Sequence, residues 1–317
     1  MKKKNIAAVC AVAGVCVLTS AAFASYQTAN GYDTLKKSLL NSIDYTNCTV
    51  TGAVKVSFDG TELVSGSYGL EADYPNQRSH TFSSSSAPQL DSEDYTLHTY
   101  EDNGYYYYQH FNEDGEADGL TRHELASDPQ QTLLGISEGD RNTADKVIRF
   151  MELAADTVVG DLRNNFVCTE DADDHATYSI TLDSVQIPEI INAGLSMMFS
   201  IANTESTYIT YDENGEPTVV SYDENDLEYY ILRLGTDPVV DNLTLSFTAG
   251  KDGNFRDGNA AVSFKGTDAD GSEHTMTFDV ELSFSDIGTT SVTPPSELGI
   301  DIYEYSDYDG SLTKVTF

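Results

Sequence analysis

Along most of this chain apolar and polar residues alternate one by one, and only in a few stretches does the apolar spacing lengthen to three and four. Val50, Val54, Val56 and Phe58 alternate with Thr51, Lys55 and Ser57; after Asp59-Gly60, Tyr68, Leu70, Ala72 and Tyr74 alternate with Ser67, Glu71 and Asp73. A period-two run, a D-G pair and a second period-two run predict a β-hairpin. Asp102-Asn103-Gly104 between Tyr95–Tyr100 and Tyr105–Phe111 predicts another, as do Asn214-Gly215 and Asp252-Gly253 further on. The cleanest alternation is His274–Ile287, with Met276, Phe278, Val280, Leu282 and Phe284 on one side and Thr275, Thr277, Asp279, Glu281 and Ser283 on the other. Such a strand belongs to an antiparallel sheet with one covered face. Ser83 to Ser86 and the acidic stretch from Asn112 to Gly119 read as loops.

Helical spacing occurs three times. Leu35, Leu39, Leu40 and Ile43 predict a short amphipathic helix over Gly31 to Ile43. Val147, Met151, Ala154, Val158 and Leu162 predict a longer one from Thr143 to Asn164, with Asn142 or Thr143 as N-cap and Asp145 in its first turn. Ile187-Pro188-Glu189 opens a third that runs through Leu195, Met198 and Phe199, where proline costs no hydrogen bond and the acid suits the positive end of the helix dipole. Together these predict an α+β fold: a long curved antiparallel β-sheet, an unclosed half-barrel, with two or three helices packed on its concave apolar face.

The start of the chain changes the picture of where this fold works. Met1-Lys2-Lys3-Lys4-Asn5 precedes an uncharged run from Ile6 to Ala24 that closes on Ala22-Phe23-Ala24. A basic, then apolar, then A-x-A pattern is that of a secretory signal peptide, and an uncleaved N-terminal membrane anchor is the competing reading. The expected division is therefore a leader or anchor over 1–24, one half-barrel domain over 25–293, and an acidic strand or tail over 294–317. Only Cys48 and Cys168 follow the leader, and their spacing leaves open whether they pair. With 17 basic against 52 acidic residues the net charge is −35. A surface so acidic repels phosphate backbones and anionic membrane faces, which excludes nucleic-acid binding and leaves an uncleaved N-terminal segment as the only expected membrane contact.

Candidate chemistry is sparse. The six histidines are scattered, and no two share an element at metal-ligand spacing. No nucleophile elbow, phosphate-cradling loop or dinucleotide fingerprint is present. Asp268-Ala269-Asp270-Gly271 approaches a calcium loop but lacks its third ligand and distal Glu, and turn geometry accounts for it. No metal, cofactor or catalytic residue is assigned, and the chain reads as not an enzyme.

The order of leader, short helix, the strand "YTNCTVTGAVKVSFDG", further long strands, "DNGYYYY", apolar helices and a closing sheet resembles the lipoprotein-carrier and sigma-factor-regulator superfamily (LolA/LppX/RseB-like). It is also similar to secreted or membrane-anchored proteins in which a strand reading G-x-Y-Y-Y is common. The superfamily resemblance is one of architecture over most of the chain after the leader. It implies an unclosed barrel with a helix-covered cavity that accepts acyl chains or other apolar ligands, or docks an envelope protein partner, and it carries over no catalytic residues. The extreme acidity and the long acidic loops depart from that pattern.

The expected function is an extracytoplasmic, non-enzymatic binding or sensing protein that holds a lipid-like ligand or protein segment between sheet and helices. The alternatives are a structural or surface-interaction protein of the cell envelope, and an unrecognised hydrolase. The run of four tyrosines after Gly104 splits by alternation, with Tyr105, Tyr107 and Phe111 on one face and Tyr106, Tyr108 and His110 on the other. Tyr105, Tyr107 and Phe111 are the expected ligand-facing set, with Met197, Met198 and Phe199 as adaptable wall residues from the third helix.

Overall fold

A computed structural model describes residues 31–90, 93–111, 117–125, 132–133, 165–189, 191–193, 224–305 and 312–315, residues 146, 148 and 149, and the backbone of 207–211 and 217–221. Residues 1–24, expected to be a leader or anchor, and Met197, Met198 and Phe199, expected to be wall residues, lie outside the described residues. Of the helix expected over 143–164, residues 146, 148 and 149 are described, and they are helical.

Helix α1 spans Gly31–Ile43 as its spacing requires, with Tyr32 and Leu35 buried. Its inward side also carries two serines, whose hydroxyls donate back to the carbonyls of Leu35 (3.0 Å) and Leu39 (2.7 Å), so neither enters the core unpaired. Strand β1 (Asn47–Phe58) and β2 (Thr61–Asp73) form the first hairpin. The two central residues of its turn, Asp59 and Gly60, have φ of 49° and 80°, the positive values that a two-residue hairpin turn demands.

β3 (Arg78–Ser86), β4 (Tyr95–Asp102), β5 (Tyr105–Phe111) and β6 (Ala117–Glu124) continue as a meander. β7 (Val167–Asp171) and β8 (His175–Asp183) follow, and β9 (Thr207–Tyr211) and β10 (Pro217–Ser221) form a separate two-stranded ribbon. A short helix α2 (Leu227–Leu232) leads into β11 (Val239–Gly250), β12 (Phe255–Thr267) and β13 (Glu273–Ser285), and the chain ends in β14 (Asp301–Tyr305) and β15 (Leu312–Lys314).

These make one sheet of thirteen strands in the order β15-β14-β6-β5-β4-β3-β2-β1-β13-β12-β11-β8-β7. It is unclosed and antiparallel except where β14 lies parallel to β6. With helices on its apolar face the chain is an α+β half-barrel, as the alternation and the helical spacing predict. The serine run Ser83 to Ser86 is not a loop: it belongs to β3, paired with β2 on one side and β4 on the other. Both ladders satisfy its backbone, and a strand whose two faces are half open has no need of an apolar pattern.

Two clusters fill the helix-side face. The larger sets Leu35 of α1 and Phe166 against Val50, Leu70, Ile180, Leu245, Phe247 and Phe284. The second lies under α2, where Leu227 and Leu234 meet Val56, Phe58, Leu63, Val64 and Met276. Leu63 and Val64 are consecutive yet both buried, because the register shifts between Val56 and Ser57 and the bulge turns both inward. The turn after α2 approaches β12 so closely that a Cβ on Gly266 would lie 1.9 Å from the Leu234 carbonyl oxygen.

Candidate ligand-binding face

Register across the ladders places Val50, Leu70, Thr81, Thr99, Tyr108, Thr121 and Tyr303 in one row on the helix-side face. The next row runs Gly52, Tyr68, Ser83, Leu97, and on its far side Gly66, Ser85 and Tyr95 line up. Over β1, β8 and β11–β13 this face is the core. Over β2–β6 it opens into a strip whose floor, on β3, is Ser79, Thr81, Ser83 and Ser85. Ser79 is buried and Thr81, Ser83 and Ser85 are half-buried, and on the strands to either side stand Tyr68, which is 45% exposed, Leu97 at 37% and Tyr95 at 41%. The far end is aromatic: the rings of Tyr106 and Tyr108 lie 6.3 Å apart with His123 within 5.7 Å of each, and His110 packs 4.7 Å from Tyr303. His110 is hydrogen-bonded through Nδ1 to Asp118, 2.5 Å away.

Tyr105 and Tyr107 project from the other face. Tyr107 is 3% exposed and packs with Leu120 and Ile302, with Tyr100, Tyr105, Leu298 and Val315 around them. This third cluster is capped by the 3-10 turn Pro295–Glu297 and the strands after it. Arg122 lies 4.6 Å from the Tyr105 ring centre and pairs with Glu304 at 3.3 Å. The Tyr107 hydroxyl is pushed up by burial, partly offset by its hydrogen bond with Arg122. Phe111, beyond a register shift at the end of β5, is half exposed. The structure thus brings Tyr105 and Tyr107 together in a packed cluster, leaves Phe111 apart, and sets Tyr106 and Tyr108 on the open strip.

The polar face carries two grooves. One of about 510 Å³ has Ala53, Ser65, Ser67 and Ser84 among its lining residues, with Lys55 and Asp279, 3.8 Å apart, on its flank. The other, about 340 Å³, shares Ala53 and Glu281 with it and adds Thr51, Asp257 and Asn259. Their hydroxyl and carboxylate linings suit hydrated ligands rather than acyl chains.

Histidines that look scattered in sequence are organised in space. His80 and His98 are hydrogen-bonded to each other on the polar face. His274 is buried at the mouth of two hairpins, with Asp59, Asp268 and Arg233 around it. Alternation assigns each its face, but the linker between β3 and β4 does not fix their register, so the first pairing was hidden. Among the described residues the histidine contacts are to carboxylates, to Arg233, to aromatic rings and to a second histidine. Among the described residues no group of three or more His, Cys, Asp or Glu could hold a metal ion. Cys48 and Cys168 are both free, the first fully buried with its thiol pushed up to about 11 by burial. Among the described residues no helix is long and apolar enough to cross a membrane.

No protein-family model and no curated protein matches this chain. Among solved structures it is similar to LprF from Mycobacterium bovis, with 12% identity over 83% of this chain and 94% of that one and a TM-score of 0.31. It is similar to a LolA superfamily protein from Nitrosomonas europaea at 10% identity, over 83% of this chain and 94% of that one, with a TM-score of 0.20. A porin-like protein from Bacteroides uniformis matches at 12% identity, over 77% of this chain and 99% of that one, also with a TM-score of 0.20.

Proposed function

We propose that this is an extracytoplasmic, non-enzymatic binding or sensing protein that holds a lipid-like ligand or an apolar protein segment on the open part of its helix-side face. The observation that supports it is the continuity of that face: the rows that form the core over β1 and β11–β13 run on, without a change of side, into the strip flanked by Tyr68, Tyr95 and Leu97. Large apolar side chains gathered on one open face mark a binding surface. Tyrosine suits an amphipathic guest because its ring contacts the apolar part while its hydroxyl reaches the polar part or water. The basic, apolar and A-x-A pattern at the start of the chain supports the extracytoplasmic assignment.

Native mass spectrometry and lipid extraction of protein purified from its own host test the reading. A co-purifying acyl compound that Leu97→Asp fails to retain is the expected result. A consistent absence of ligand, with no displacement of a fluorescent fatty acid, overturns it. N-terminal sequencing of the exported protein separates cleavage from anchoring, since a start at Ser25 rules out the anchor.

A surface-interaction role in the envelope is the second reading, supported by the polar-face groove flanked by Lys55, Asp279 and Glu281. It would work through the face rather than the sheet edges. β7 carries Glu170 and Asp171 and β15 has three residues, and short or charged edges oppose strand addition.

A further inference from the structure

We propose that Glu71, His80 and His98 form a latch across β2, β3 and β4 that holds a single proton between its two rings and parts when a second is added. All three stand on the polar face. Glu71 Oε2 lies 3.1 Å from His80 Nδ1, and His80 Nε2 lies 3.1 Å from His98 Nδ1. The two imidazoles are within 6° of parallel with centroids 5.4 Å apart. That separation equals the nitrogen–nitrogen contact plus a ring radius on each side. The rings therefore meet edge to edge, with the two nitrogens in line.

The distance decides what sits between them. A two-coordinate metal in line would hold the nitrogens about 4 Å apart, twice a metal–nitrogen bond of about 2 Å. The observed 3.1 Å is that of an N–H···N hydrogen bond. Glu71 fixes the rest, because its carboxylate accepts from His80 Nδ1 and so turns Nε2 toward His98. When His80 is neutral, His98 Nδ1–H donates to that nitrogen; when His80 is charged, its own Nε2–H donates to His98. Either way one proton lies between the rings. Charging both would set two N–H groups head to head and place two cations against the single carboxylate of Glu71.

The surroundings do not relieve that conflict. Tyr100 stacks on His80 at 4.4 Å, and Phe82 packs 5.2 Å from His98. The nearby charges are already engaged: Arg78 with Asp102 at 2.8 Å, Asp73 with Asn47 and Asn76, and, past Tyr107 in the same row, Arg122 with Glu304. Burial and then the neighbouring His80 hold His98 below the ordinary histidine range. A depressed histidine contributes stability that is complete above the unfolded value of about 6.5 and lost as pH falls toward the folded one. Acid therefore loosens β3 from β4 on the polar face, directly behind the serine floor of the open strip.

The test is nitrogen-15 NMR of the full chain with hydrogen exchange. At neutral pH a scalar coupling across the hydrogen bond is expected between His80 Nε2 and His98 Nδ1, disappearing as His98 titrates. Corrected for intrinsic rates, β3 and β4 amides should exchange several-fold faster at about pH 5 than at neutral pH, with β11 and β12 as the unchanged control. His98→Gln should abolish that pH dependence. Absence of the coupling at neutral pH, or the same exchange response in His98→Gln, overturns the proposal. The coupling is read in the unmodified protein, so failure of the variant to fold would leave it decisive.

Discussion

Asp59 Oδ2 lies 2.7 Å from Nδ1 of His274, a contact that ties the turn of the first hairpin to the first residues of β13, 215 positions along the chain. The other carboxylate oxygen of Asp59 accepts the Thr275 N–H at 2.8 Å, and His274 Nε2 faces Asp268 at 3.0 Å. Burial would raise the Asp59 carboxyl, but the Thr275 N–H and His274 outweigh it and hold it low. The Ser272 N–H, then His274, do the same for Asp268. Lowered carboxyls contribute stability that is present above about pH 4 and lost as pH falls through their folded values. Asp59→Asn is therefore expected to lower stability at pH 7 by about 1 kcal/mol or less, since the Asp59 side chain is nearly half exposed and solvent screens the contact. It should also flatten the loss as pH falls below about 4, which denaturant titrations along a pH series would show.

The four tyrosines should separate by role. Tyr107→Ala empties a buried site and is expected to cost about 3 kcal/mol of unfolding free energy. Tyr108→Ala, on the open strip, should cost under about 1 kcal/mol yet weaken ligand retention. Paired melts and lipid-extraction yields check both; equal stability losses would contradict the assignment of faces.

Gly266→Ala should be among the most damaging small substitutions in the sheet. Its methyl group would meet the Leu234 backbone carbonyl, which cannot swing aside as a side chain does. A loss of about 2–4 kcal/mol is expected, against near neutrality for Ser263→Ala on the polar face of the same strand. Thermal denaturation of the two variants makes the comparison.

The two thiols should react at very different rates. Cys168 is partly accessible on β7, whereas Cys48 is fully buried and its thiol is pushed up to about 11 by burial. In protein from which residues 1–24, with Cys10 and Cys16, have been removed, a thiol reagent is expected to find one fast and one slow equivalent, the slow one released by denaturant. Two fast equivalents would contradict the burial of Cys48.

How much of this was legible in the residues follows from which interactions are local. Asp59-Gly60 and Asn103-Gly104 announce their hairpins because positive φ at both turn positions is a two-residue requirement. Alternation assigns Tyr105 and Tyr107 to one face and Tyr106 and Tyr108 to the other, and that division holds. Which face is packed is not a local property. It depends on Leu120 of β6 and Ile302 of β14 arriving over Tyr107, and Ile302 comes from nearly two hundred residues away. The serine strand β3 was illegible for a related reason. Its order comes from neighbours on both sides rather than from an apolar pattern of its own.

The strand order carries a consequence for how the chain is made. β1 has β13 as one partner, and β6 has β14, so each waits for residues some 180 to 230 positions further along before its second edge is covered. During synthesis from the N-terminus, the first six strands can form their meander but must keep both outer edges open until the last third has emerged. Long-range pairing of this kind is slow and exposes edges that attract other strands. At a net charge of −35, copies of the unfinished sheet repel one another.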